Sequence, residues 1–357
     1  MRGMLAAAAV FALLAVGAWV SRSSSDPRAG STEISGERVR VGARLPRMYR
    51  IAYRLEDGTK EVFLVRRPFE SRTTTVSSAF GRSGTSGISF FAPPGPPVGD
   101  LRPDAVLGDA IRDGYASKRE VRRVVGRLCR VYRIGSVAGA GSLPLVGDMD
   151  DPTDVCVDAA GLVLEEVTYR GDEVAQRRVA EAVSEHPRVT DSTFDLNEPE
   201  GDPRQIGSVQ ELRADSRLPG GTFWELEDEP NGFERYGRFA VVPAGQPGFG
   251  DVTARSSVIS FVSEVWTDGS DVFTIEQGAT QGATPFGDDP NAQVVKAGEL
   301  GKGELLYSMV ASEARFLTGG ARFVRVRGTL APSKLLEIAR SLEGVPGGPL
   351  RLKDPPD

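Results

Sequence analysis

Apolar and polar residues alternate with a period of two over much of this chain, which predicts strands rather than helices. Met48–Leu55 places Tyr49, Ile51 and Tyr53 on one face; Glu56–Asp57–Gly58 turns the chain, and Glu61–Phe69 returns as the second arm of a hairpin. Arg72–Phe80 and Ile88–Ala92 read as two more strands, and Pro93–Pro97 ends the run. Asp104–Asp113 has helical spacing, with Pro103 leading in and Gly114 closing it. Arg122–Ile134, Thr153–Val157 and Leu162–Tyr169 return to the strand pattern, whereas Val174–Ser184 fits either a helix or a strand. Beyond a Pro- and Gly-rich stretch at Asn197–Gln205, strands are expected near Phe223–Leu226 and Arg238–Val242. A strand pair follows, Val258–Trp266 and Asp271–Gln277 around Thr267–Ser270, and then a Gly-rich loop, 278–292. The strand Glu304–Val310 and the hairpin Ala314–Gly328 run into a helix, Pro332–Leu342. Its apolar positions 335, 336, 338, 339 and 342 share one face, and Gly344 is placed to cap its end.

At 357 residues two compact domains are expected, 46–196 and 208–345, joined at 197–207 and followed by a disordered tail, 346–357. The N-terminus reads as an exported segment. Met1–Arg2–Gly3 precedes seventeen apolar residues, Met4–Val20, so 1–20 is a signal peptide or signal-anchor and 21–45 a flexible linker. Val16–Gly17–Ala18 offers a cleavage site, and the absence of a nearby Cys excludes lipoprotein processing. The protein is therefore expected outside the cytoplasm, anchored or secreted.

In an oxidising compartment the two cysteines, Cys129 and Cys156, favour a disulfide. Strand parity puts both on an Arg/Asp face, as a staple on the outer side of a sheet. Residues 196–357 carry 16 basic and 24 acidic side chains, a net of −8, against +1 for 35–195, which argues against a nucleic-acid partner.

Chemistry is sparse. The single His186 precedes Pro187 in a loop-like stretch, and no zinc-protease, nucleophile-elbow, Walker or dinucleotide motif is present. Gly81–Gly87 reads as a hairpin turn, not a nucleophile turn. Asp148, Asp150, Asp151 and Asp154 lack the spacing of a calcium loop, and Glu225, Glu227, Asp228 and Glu229 read as a wet strand edge. No catalytic residue, metal site or cofactor is expected. The best candidate for ligand contact is the apolar face bearing Tyr49, Ile51, Tyr53, Phe63, Phe90 and Leu128, which is either ordinary sheet core or the wall of a hydrophobic cavity.

The order of these parts resembles the RseB/MucB proteins of the bacterial envelope. The first half is similar to their LolA-like N-terminal domain. Leu218–Pro219–Gly220–Gly221–Thr222–Phe223, Ile259–Ile275, Val324–Gly328 and Ile338–Leu342 match the pieces of their C-terminal domain. The resemblance spans about residues 45–345; the helix that opens a LolA-like domain is not evident before Met48, and the loops at 278–303 are long. It implies an α+β protein: a curved antiparallel sheet with short helices over its concave face, plus a smaller C-terminal α+β domain. It implies a non-enzymatic regulator that binds a membrane anti-sigma factor or another envelope protein and senses lipid in the concave sheet. The alternative is a LolA-like carrier of lipid or lipoprotein acyl chains.

Overall fold

The computed structural model describes residues 31–34, 45–75, 79–83, 86–87, 94–97, 99–135, 152–194, 208–212, 222–242, 261–279, 292–319 and 322–347. Among them strands dominate and two α-helices occur, so the chain is antiparallel and β-rich.

The first sheet has eleven strands. In chain order they are β1 (Ser31–Ile34), β2 (Met48–Leu55), β3 (Lys60–Arg66), β4 (Glu70–Thr74), β5 (Ala79–Ser83), β6 (Ser86–Gly87), β7 (Ala116–Val124), β8 (Arg127–Ile134), β9 (Thr153–Asp158), β10 (Val163–Arg170) and β11 (Glu173–Ser184). Their order across the sheet is β1-β7-β8-β9-β10-β11-β2-β3-β4-β5-β6. Ser31–Ile34, inside the expected linker, pairs with β7 from Ser31↔Val124 to Ile34↔Val121. The expected strand Arg72–Phe80 is two strands, β4 and β5, in the register Thr74↔Ala79. The ambiguous Val174–Ser184 lies within β11, paired on both sides with β10 and β2. Helix α1 (Pro103–Arg112) follows the pattern read from the sequence: Pro at its start, Asp104 in the first turn, Arg112 in the last, and Gly114 at φ 84° just beyond.

The second sheet has eight strands: β12 (Ser208–Leu212), β14 (Glu234–Val242), β15 (Phe261–Thr267), β16 (Val272–Ala279), β17 (Gln293–Ala297), β18 (Gly301–Leu306), β19 (Ser312–Thr318) and β20 (Arg322–Gly328), in the order β12-β14-β15-β16-β20-β19-β18-β17. The expected strand Glu304–Val310 is shifted to β18, which stops at Leu306. Tyr307 and Met309 leave the sheet and are buried in the core that contains α1. Helix α2 (Pro332–Arg340) buries Leu335, Leu336, Ile338 and Ala339, the face read from the sequence. It ends at Ser341, and Gly344 is not its cap. Gly344 belongs to β21 (Leu342–Pro346), which pairs with β13 (Thr222–Leu226) in a separate ribbon, Gly344 opposite Trp224. A Cβ there would lie 2.8 Å from Thr222 Cγ2, so the glycine serves close strand approach. Gln277 of β16 ties the ribbon to the sheet. Its Oε1 accepts the Trp224 N–H at 2.8 Å and its Nε2 donates to the Trp224 carbonyl.

The two halves share one core. Val106, Leu107 and Ala110 of α1 cluster with Ile134, Val155 and Val157 of the first sheet. The same cluster continues through Leu335 and Ile338 of α2 to Phe316, Val324 and Ile275 of the second. Helix α1 thus packs between a sheet on one side and α2 on the other. The segments 1–20, 197–207 and 348–357 lie outside the described residues.

Cys129 and Cys156 are joined, with Cα atoms 5.3 Å apart. Cys129 lies opposite Asp158 and Cys156 opposite Val131, so the bond crosses β8 and β9 diagonally. Both cysteines sit on the Arg133/Asp154 face, as parity predicted. That face is not the outside of the protein, however. The cysteines are 0% and 1% exposed and cluster with Val124, Val131 and Leu164. Val124 joins them because the turn at Val125–Gly126 reverses parity between β7 and β8, pairing Val124 with Arg127. Strand β9 is consequently buried on both faces.

Candidate functional site

Alternation along β2 buries Tyr49, Ile51 and Tyr53 on one face, and the β2–β3 register sets Phe63 opposite Ile51 and Val65 opposite Tyr49. These four predicted residues, Tyr49, Ile51, Tyr53 and Phe63, come together around a cavity of about 10 Å³. Space of that size suits one water molecule, so in this conformation the aromatic face is packed core. Leu128 is elsewhere: it is half-buried, paired with Arg123 beside the β7–β8 turn, and does not line the cavity. Phe90 lies outside the described residues.

The far wall comes from the segment that leads into α1. Gly99 and Leu101 line the cavity together with Leu162. Gly99 takes φ 78°, and a Cβ on it would stand 3.2 Å from the Phe63 ring, so only glycine suits this place. Between them Asp100 is buried and held on two sides. Arg67 gives it a two-pronged ion pair, Nε to Oδ2 at 2.8 Å and Nη2 to Oδ1 at 3.0 Å, and the Tyr49 hydroxyl donates to Oδ1. Burial, reinforced by the Asp100 charge, pushes the Tyr49 phenol well above its ordinary pKa.

Tyr53 is fixed in parallel fashion. Its hydroxyl donates to the Val163 carbonyl at 2.7 Å, and the Arg178 guanidinium lies 4.7 Å above its ring. Arg178 donates to Glu166 at 2.7 Å and to Glu61 at 3.1 Å. Burial opposes its charge, but Glu166 and Glu61 more than offset this and its pKa is raised. Burial likewise raises Tyr53. Both phenols stay neutral at physiological pH and each ring has a guanidinium of the chain beside it, Arg67 lying 5.9 Å from the Tyr49 ring. Neutral, hydrogen-bonded phenols and paired charges suit apolar contact and positioning rather than proton transfer.

The remaining candidates are placed apart from this cavity. His186 is exposed beyond the end of β11. Asp154 is committed to Arg133 at 2.7 Å and to the Tyr169 hydroxyl at 2.9 Å; Asp148, Asp150 and Asp151 lie outside the described residues. Among the described residues no group of His, Cys, Asp and Glu is arranged to hold a metal ion. Glu225 pairs with Arg238 at 2.9 Å, and Glu227 raises the pKa of Glu343 on β21 by like-charge repulsion. Sequence reading did not single out Arg67, Asp100, Leu101 or Arg178. The one local signal was Gly99–Asp100–Leu101–Arg102–Pro103, a glycine and an acid immediately before a helix start.

Among the described residues, fold and site define an antiparallel, β-rich protein of two large sheets and a two-stranded ribbon, with the large sheets joined through a helix pair. No known protein family matches the chain, and no curated protein matches it. It is similar to solved structures of MucB. A complex of MucB with MucA(peri) aligns with 85% of this chain and 94% of that one, at 14% identity and a TM-score of 0.26. The Pseudomonas aeruginosa MucA/MucB complex gives the same coverage and identity with a TM-score of 0.27. MucB alone aligns with 84% of this chain and 93% of that one, at 12% identity and a TM-score of 0.24. Among the described residues no helix is long and apolar enough to cross a membrane.

Proposed function

We propose that this chain is a non-enzymatic, extracytoplasmic binding protein of the RseB/MucB kind, one that holds the outer part of a membrane anti-sigma factor and responds to lipid at the Tyr49–Tyr53–Phe63 cavity. In this reading the apolar N-terminal segment exports or tethers it, 46–196 and 208–345 are its two units, and Cys129–Cys156 is a structural staple. The reading is supported by the sequence motifs of the second half and by the order of elements.

One observation carries it. The segment that walls the aromatic cavity, Gly99 to Leu101, runs straight into helix α1, and α1 packs on α2 of the second half, so the cavity is connected through the chain to the contact between the halves. An acyl chain fits only if the cavity widens from its present 10 Å³. A carrier needs the same widening, whereas a second half packed on α1 gives a regulator a part that a carrier does not need.

The test is direct capture. Residues 21–357, which keep β1, are purified from an exporting host and titrated calorimetrically with the outer segment of a single-span anti-sigma factor encoded beside the chain. A saturable one-to-one complex is expected, together with a changed envelope stress response when the chain is deleted. Absence of both would refute the regulator. Native mass spectrometry of the same material reads the ligand: a stoichiometric lipid, lost in Tyr53→Asp or Phe63→Asp with the fold intact, is expected.

A further inference from the structure

Four consecutive residues, Gly99 to Arg102, divide their attachments between the two halves of the molecule. Gly99 and Leu101 form the cavity wall. Asp100 is pinned by Arg67 and Tyr49 of the first half. Arg102 faces the other way. Its guanidinium donates to Asp104 through Nε and Nη2, each at 3.1 Å, and through Nη1 to Asp271, which immediately precedes β16 of the second half. The Arg102 side chain is 5% exposed and Asp271 22%, so this ion pair is largely withdrawn from water. The Arg102 backbone N–H donates to the Met309 carbonyl at 2.5 Å. Asp271 is itself oriented by the Thr329 hydroxyl at 2.9 Å.

We propose that residues 99–102 are a strap over the aromatic cavity and that the second half of the chain holds it shut, with Arg102 and Asp271 as the latch. The geometry leaves no independent motion. Leu101 cannot withdraw from the cavity without dragging Arg102, its neighbour, off Asp271 and Met309. Any ligand that widens the cavity therefore loosens the contact between halves, and by reciprocity a partner that tightens that contact closes the cavity. Further along, α1 is held to the second half at Asp109–Ser333 and Asp113–Tyr307, so release at Arg102 would pivot the helix rather than free it. That the ligand is an acyl chain rests on the proposed function; the latch does not.

Two readouts separate these claims. Hydrogen exchange is measured by mass spectrometry on residues 21–357, which keep β1, as wild type and as Asp271→Asn, an isosteric change that keeps a neutral acceptor. Exchange of amides 101–112 should rise about tenfold, with β8 and β9 unchanged. Thr329→Val, which removes from the second half the hydroxyl that orients Asp271 and leaves α1 untouched, should do likewise to a smaller extent and serves if Asp271→Asn fails to fold. Unchanged exchange in 101–112, or a uniform rise across the molecule, overturns the latch. The second readout is binding of the fluorescent fatty acid cis-parinaric acid. Tighter binding to Asp271→Asn than to wild type is expected; a strap that loosens without any binding keeps the latch and removes the acyl-chain reading.

Discussion

Asp109 caps a helix to which it does not belong. Its Oδ2 accepts the backbone N–H of Ser333 at 2.9 Å, in the first turn of α2, across 224 residues of sequence. The residue at the N-cap position of α2, Ala331, makes no side-chain bond, so α1 supplies the oxygen that Ser, Thr or Asp would supply locally. The carboxylate also meets the positive end of the α2 dipole. Asp109→Ala should cost about 1 kcal/mol in urea unfolding. Ala331→Asp in that background should recover part of it; no recovery would show that the bond acts by joining the helices rather than by capping.

Acid should weaken the junction of the halves at a second point. The Tyr307 hydroxyl donates to Asp113 at the end of α1. Burial works to raise the Asp113 pKa, but the Tyr307 bond and Arg112 prevail and lower it. A depressed folded pKa means that the native state holds the proton less tightly than the unfolded chain. Its stabilisation is therefore complete above the ordinary aspartate range and is lost as pH falls through the folded value. Tyr307→Phe should be less stable than wild type at pH 6, and the gap should close below about pH 4; a gap independent of pH would assign it to packing alone.

Reducing the disulfide should lower stability without altering the native sheet order. Cys129 and Cys156 are 27 residues apart, and a loop of that size is worth about 3–4 kcal/mol in the chain-entropy model. Because both are buried, native protein should resist thiol reductant until it is partly unfolded. Rapid reduction under native conditions would contradict the burial.

Gly303 and Gly319 offer a paired test of the second sheet. A Cβ on Gly303 would lie 2.2 Å from the Phe316 ring and 2.5 Å from the Arg315 carbonyl, whereas one on Gly319 meets nothing within 4 Å. Gly303→Ala should cost about 1–3 kcal/mol and Gly319→Ala almost nothing, measured by thermal unfolding. Equal effects would refute the β18–β19 register.

Cleavage at 197–207 should not part the molecule. The core runs unbroken from Ile134 through α1 and α2 to Ile275, so the nicked halves should elute together in gel filtration and separate only in denaturant. Independent elution under native conditions would count against that shared core.

Strand periodicity made Tyr49, Ile51 and Tyr53 legible as one face, and helical spacing located α1 and α2, because side-chain parity is a local property. Long-range properties were not legible. The burial of Cys129 depends on a parity reversal at Val125–Gly126 and on what faces the sheet. Gly344 has the position of a helix cap in sequence but serves strand approach, a demand set by Thr222, more than a hundred residues away. β17, five residues with only Ala297 fully buried, carries too little amphipathic pattern to stand out from a Gly-rich loop. The polar frame of the site escaped because Arg67, Asp100 and Arg178 look like ordinary surface residues until their partners are in place.

One consequence of the Cys129–Cys156 bond concerns the chain it encloses. Everything from Arg130 to Val155 is bridged by a covalent tie in the sheet itself. A protease that cuts between β8 and β9 would leave a single molecule of unchanged mass apart from one added water. A nick there therefore shows only after reduction, when the two fragments part in denaturant.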